Sequence, residues 1–190
     1  MALTFDWQSL EDRLFKQSKA LILQFAAEHP DVLCSFFAYD TNPAYGEFLP
    51  SFDSYENMLR MAQEDEQRAI AEREQMLRQE WSWRSAHYML HSVSDSSPDV
   101  SDFAYHIYAE IRIDELEALS VSGTYPQKNH EAEDDYINGN VRIVLWKVVE
   151  RLIAAEAFAP LHLASPFRVG YQFHDDGHFI VLRLLNWPQV

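Results

Sequence analysis

The stretch "QKNHEAEDDYINGN", residues 127–140, sets His130, Glu131, Glu133, Asp134 and Asp135 within six positions. Side chains of these types bind hard cations, share protons between carboxylates, or attract a basic partner. Each of these chemistries demands its own spacing. Reading the stretch as a calcium loop with Gly139 at the sixth position makes Asp134 the first ligand. Tyr136 then stands third and Leu145 twelfth, where the ion needs oxygens. The stretch does not fit an EF-hand.

Other groups were weighed in the same way. "HDDGH" brings together His174, Asp175, Asp176 and His178. Two imidazoles and two carboxylates suit zinc or iron, but Asp-Gly between two apolar runs is the signature of a tight hairpin turn. The structural reading is preferred. "HYMLH" puts His87 and His91 four residues apart, with Tyr88 where a metalloprotease helix carries glutamate. Cys34, the only cysteine, lies in an apolar run and reads as a small buried hydrophobe rather than a nucleophile. There is no Gly-x-Ser-x-Gly elbow and no phosphate loop, and only 5 glycines are available for cradling backbone. No catalytic residue, metal ligand or cofactor is assigned, and the chain reads as a non-enzyme.

The charge has a clearer shape. The chain of 190 residues carries 30 acids against 15 bases, a net charge of −15. That balance argues against nucleic acid and anionic lipid, both of which need Lys and Arg in excess. Between Asp95 and Asp135 there are 11 acids and two bases, net −9, whereas residues 136–190 hold 4 acids and 5 bases. Asp114, Glu115, Glu117, Glu131, Glu133, Asp134 and Asp135, with Tyr136 as an aromatic anchor, are therefore the candidate surface for a basic protein partner. The competing view is a solvated acidic loop.

Hydrophobic residues make up 47%, enough for a core, and the length suits one domain, residues 1–190. No apolar run is long enough to span a bilayer, and the acidic N-terminus does not read as a signal peptide, so the expected location is cytoplasmic.

The elements that must position these residues follow from periodicity. Trp7, Leu10, Leu14, Leu21 and Phe25 form one stripe of a helix over residues 6–28, stopped at His29-Pro30. "VLCSFFAYD" reads as a buried strand, "NPAYG" as a turn, and "EFLPSF" as a second strand placed at an edge by Pro50. Ser54 caps a charged helix to about Gln79 that meets the core through Leu59, Ala62, Ile70 and Leu77. Ile107, Ala109, Ile111 and Ile113 alternate as in a half-buried strand, and "DELEAL" follows as a short helix. The acidic stretch is expected to be a loop, with Asn140 capping a helix to about Phe158 whose inward residues are Val141, Val144, Leu145, Val148, Leu152 and Ala155. "FRVGYQF" and "HFIVLRLLNW" close the chain as a hairpin. The pattern is α+β, a mainly antiparallel sheet with helices packed on it.

The helix ending in "HPD", the strand "FFAYD", the segment "EFLPSFDSYENML" and the closing "LRLLNWP" resemble the bacterial domain-of-unknown-function family 4303. Small bacterial proteins of this kind resemble immunity proteins of toxin–immunity pairs. The resemblance implies a cytoplasmic immunity protein that neutralises a cognate basic toxin by occluding its active site. The alternatives are a hydrolase-type site built from distant carboxylates and histidines, and a homodimeric regulatory protein.

Overall fold

The computed structural model describes residues 5–78, 99–122, 130–174 and 179–186. Helix α1 spans Trp7–Glu28 and starts where the Asp6 carboxylate accepts the N–H of Ser9 at 3.0 Å. Its inner face is Leu10, Leu14, Ile22 and Phe25, all buried, with Trp7 and Leu21 flanking them. Strands β1 (Leu33–Asn42) and β2 (Glu47–Ser54) pair antiparallel through the short turn Pro43–Tyr45. Gly46 closes that turn at φ 66°, a conformation glycine adopts without steric cost.

Ser54 caps α2 (Tyr55–Arg78) by accepting the N–H of Asn57 at 3.0 Å. Ala62 and Ala69 are its buried residues, while Ile70 is exposed. The charged helix packs on the smaller cluster through Met58, and the expected contact by Ile70 is corrected. The side chain of Leu77 lies outside the described part.

Strand β3 is only Ile111–Arg112, followed by α3 (Asp114–Ser122), α4 (His130–Ala154), β4 (His162–Phe173) and β5 (Ile180–Leu185). The sheet order is β3-β2-β1-β4-β5, with β1 and β4 parallel and the other three pairings antiparallel. This is an α+β fold, as expected. α1 and α4 cover one face over the main core. The other face carries a smaller cluster of Phe36, Ala38, Val100, Phe103 and Phe179, with Met58 from α2 against it.

Three expectations are corrected. First, β2 is not an edge strand, since β3 lies outside it. Pro50 is tolerated because it has the parity of Phe52, whose N–H and C=O face away from β1 toward Tyr105, so no β1–β2 bond is lost. Second, the alternation Ile107 to Ile113 yields a strand of two residues. Ile107 has φ 48° and gives its N–H to the Ser51 hydroxyl, which turns the chain off the sheet. Third, the acidic stretch is helical from His130, and Asn140 lies inside α4, its amide bonded to the Tyr136 carbonyl one turn back. Buried Ile137 extends the stripe of Val141, Val144, Leu145, Val148 and Leu152. Each added turn of that stripe buries apolar area, which outweighs the weak helix propensity of Asn-Gly-Asn. The helix also ends at Ala154, short of Phe158, and Ala155 lies beyond it, half-buried.

Two glycines give opposite expectations. A Cβ on Gly170 would lie 2.1 Å from the Ile180 carbonyl oxygen, so β4 and β5 approach this closely only over glycine. Gly139, inside α4, has nothing within 4 Å of a Cβ. Gly170→Ala should lower unfolding free energy by about 1–3 kcal/mol, and Gly139→Ala should raise it by about 0.5–1 kcal/mol. Chemical denaturation of both variants checks the pair; equal signs would contradict these backbone placements.

Candidate functional site

Ile113 donates its N–H to the Gly46 carbonyl at 2.8 Å, which fixes the start of α3 beside the Pro43–Tyr45 turn. Leu116 and Leu119 point into the core, and α3 then stands against the first turns of α1. Between the two helices is a cavity of about 430 Å³ with walls from Phe5, Leu10, Ile113 and Leu119. Arg13 and Glu115 also line it, joined at 3.0 Å. The Glu115 carboxyl is held below its usual range by its own backbone N–H first and by Arg13 second. Phe5 stacks edge-on with Trp7, and Trp7 with Tyr136 of α4, so an aromatic row leads from the cavity to α4.

The structure brings some of the predicted acidic residues together and divides others. Asp114, Glu117, Glu110 and Glu47 all lie within 3.8 Å of Arg112, with Glu117 closest at 2.8 Å. Asp114, Glu115 and Glu117 are thus engaged with Arg112 or Arg13, and the field they present is weaker than their count suggests. Glu131, Glu133, Asp134 and Asp135 occupy the first turns of α4, where negative charge complements the helix dipole. Their side chains lie outside the described part. Tyr136 is 46% exposed and adjoins Trp7.

A second constellation was missed by the sequence reading. Asp40, near the end of β1, is 2% exposed. Its Oδ2 lies 3.2 Å from Nδ1 of His174 and 3.4 Å from Nε2 of His106, and its buried Oδ1 has no hydrogen-bond partner among the described residues. The His174 backbone N–H bonds to the Thr41 carbonyl at 2.9 Å, which sets the imidazole beside Asp40. His174, expected at a solvent-facing hairpin tip, is exposed, and its Nδ1 also faces the buried Asp40 carboxylate. Asp175, Asp176 and His178 lie outside the described residues, as do His87 and His91.

Segment 99–107 reaches this point by lying across the sheet face. Gln172 accepts the Val100 N–H at 3.0 Å and donates to Asp99 at 2.8 Å. Asp53 accepts the Ala104 N–H at 3.0 Å and the Asn57 amide at 2.8 Å. Burial, the largest influence, raises the Asp53 carboxyl above its ordinary range against these bonds. A carboxylate that orients an imidazole is half of a general-base device, but among the described residues no hydroxyl or thiol is bonded to His106. Among the described residues no group of three or more His, Cys, Asp and Glu side chains is arranged to hold a metal ion, and no helix is long and apolar enough to cross a membrane.

Cys34 is 1% exposed, as expected, and burial followed by the Asp53 charge pushes its thiol up to about 12. An unfolded thiol ionises near about 8.5, so the folded state loses stability as pH rises above that value. Cys34→Ala should flatten the loss between about pH 9 and 11 relative to the parent, measured by denaturation at each pH. The Asp40 pair gives a second test. Replacing His106 and His174 together with alanine leaves a buried carboxylate without its imidazoles and should cost about 1–3 kcal/mol. Adding Asp40→Asn should recover most of that loss. Strictly additive effects would show that the three side chains do not interact.

No family model matches the chain, and neither a curated protein nor a solved structure is detectably similar to it.

Proposed function

We propose that this protein is a binding protein that captures a basic protein partner on its acidic side, in the manner of an immunity protein that occludes a toxin's active site. The observation that carries the reading is the apolar cavity between α1 and α3, with Glu115 and Asp6 among its lining residues. An apolar hollow edged by Asp6 and the Arg13–Glu115 pair suits a Lys or Arg side chain, whose methylenes pack on Phe5 and Leu119 while its charge shares the rim carboxylates with Arg13. Tyr136 and Trp7 supply aromatic area beside it, and the net −9 of residues 95–135 supplies steering.

A second reading rests on Asp40. A buried carboxylate holding two imidazoles is a feature that hydrolytic sites use, so a water-activating role for His106 is the enzyme alternative.

The test uses the protein encoded by the neighbouring reading frame as the probe. Changing Glu131, Glu133, Asp134 and Asp135 to their amides should slow association several-fold and flatten its dependence on salt. Leu119→Arg, which fills the cavity with a like-charged group for a basic partner, should speed dissociation about tenfold or more. Asp40→Asn should leave both rates unchanged. Association rates and salt slopes identical to the parent's in the quadruple variant would sink the reading. Turnover of chromogenic esters or phosphoesters that disappears in Asp40→Asn would favour the enzyme instead.

A further inference from the structure

Strand β5 is the last strand of the sheet order, and among the described residues no strand pairs with its outer side. Its sequence, "IVLRLL", is apolar except for Arg183. Ile180, Val181 and Leu184 are 38%, 44% and 45% exposed. Natural sheets guard a free edge with outward lysines, prolines, a covering element, bulges or inward-pointing charges, and of these the described part of β5 has one bulge and one inward charge. Here the one charge is turned inward: Arg183 pairs with Glu150 of α4 at 2.6 Å and lies over the Trp146 ring. The strand has an extra residue at Leu182, opposite the step from Val169 to Gly170, and Leu182 packs on the main core. Beside the strand, Trp146 and Ile143 of α4 are 45% and 53% exposed, one turn apart. Among the described residues an unpaired main-chain edge and an apolar flank therefore lie side by side.

We propose that the outer edge of β5 is the contact through which two copies of this chain associate, by antiparallel pairing of β5 with its counterpart. Charge selects a second copy over other occupants. Each chain carries −15, and acid-rich surfaces repel one another over roughly 8 Å at physiological ionic strength. Residues 136–190 hold 4 acids and 5 bases, and they include β4, β5 and most of α4. This is the face on which two such chains meet without opposing their acids. A basic partner is drawn instead to the net −9 segment. Geometry agrees. Antiparallel pairing places the two-fold axis along the sheet normal, so both copies of α4 lie on the same face of one continuous sheet. Trp146, on the β5 side of α4, then faces the seam from each copy. Six residues of edge span only about 20 Å, and the apolar flank adds area toward the roughly 800 Å² per partner of a stable contact.

Sedimentation equilibrium of the full chain should give twice the chain mass of 22.2 kDa at high concentration, with dissociation on dilution. Amides of residues 180–185 should exchange more slowly at high concentration than at low. Val181→Lys with Leu184→Lys sets four lysines around the seam and should raise the dissociation constant at least about tenfold. Circular dichroism and concentration-independent exchange in α1 show whether that variant stays folded. The quadruple amide variant of Glu131, Glu133, Asp134 and Asp135 should keep the dimer, which separates this contact from the one for a basic partner. A monomer at every concentration overturns the proposal, as does a dimer whose strength and β5 exchange are unmoved by the two lysines.

Discussion

The second face of the sheet is covered by residues 99–107, which have almost no ladder of their own, and their buried N–H groups must still find acceptors. The arrangement of that face follows from this constraint. Three strand side chains answer it: Gln172 takes the N–H of Val100, Asp53 that of Ala104, and Ser51 that of Ile107. A single backbone exchange between Phe52 and Tyr105 supplies the rest of the register. Remove the acceptors and each orphaned N–H costs on the order of 1–3 kcal/mol, a sizeable share of what burial of the small cluster around Phe36 and Phe103 contributes. This is why strands with otherwise apolar inner residues carry Ser51, Asp53 and Gln172 at near-zero exposure. It is also what delivers His106 to Asp40.

The opposite face obeys a different rule. There α1 and α4 bring regular helices whose own bonds are internal, so the sheet needs only apolar area. Strand β1 serves both faces, and its bulge around Ser35 is what allows it. Without the extra residue, Cys34 and Phe37 would point to opposite sides; with it, both join the main core. Ser35 itself is buried and gives its hydroxyl to the Asp53 carbonyl. The Tyr39 hydroxyl, deep under α1, is satisfied by Ser18, which explains a serine in the middle of that helix's inner face.

Much of this was legible in the sequence, and the failures share a cause. α1, β1, β2, the start of α2 and the pairing of the final two strands were legible because each carries a clear period or a dense apolar run, and most have a local punctuation residue such as Pro30 or Ser54. The start of α4 was misplaced because Asn138-Gly139-Asn140 is a strong turn signal, while the argument against it, burial of Ile137, is tertiary. The alternation from Ile107 to Ile113 misled for the same reason: Ser51, more than fifty residues earlier, captures the Ile107 N–H. Asp40 was overlooked at the end of "FFAYD", where a lone carboxylate looks like a strand terminus. A second alternation in that run, Phe36-Ala38-Asp40, was its one available signal. The pairing of Arg13 with Glu115, a hundred residues apart in sequence, had none.

The distribution of charge ties these pieces into a functional picture. Acids that read as one patch are sorted by the fold into two groups. Those around Arg112 and Arg13 hold α3 against α1 and the β2 end, and so form the cavity wall. Those at the start of α4 sit at the positive end of a helix, where charge stabilises the element that carries it. The base-containing remainder, α4 from Arg142 onward with β4 and β5, lies at the other end of the sheet order from β3. The molecule has an acidic, hollow side and a near-neutral, apolar edge. Because charge governs encounter and apolar area governs residence, the two contacts proposed for these sides need not compete.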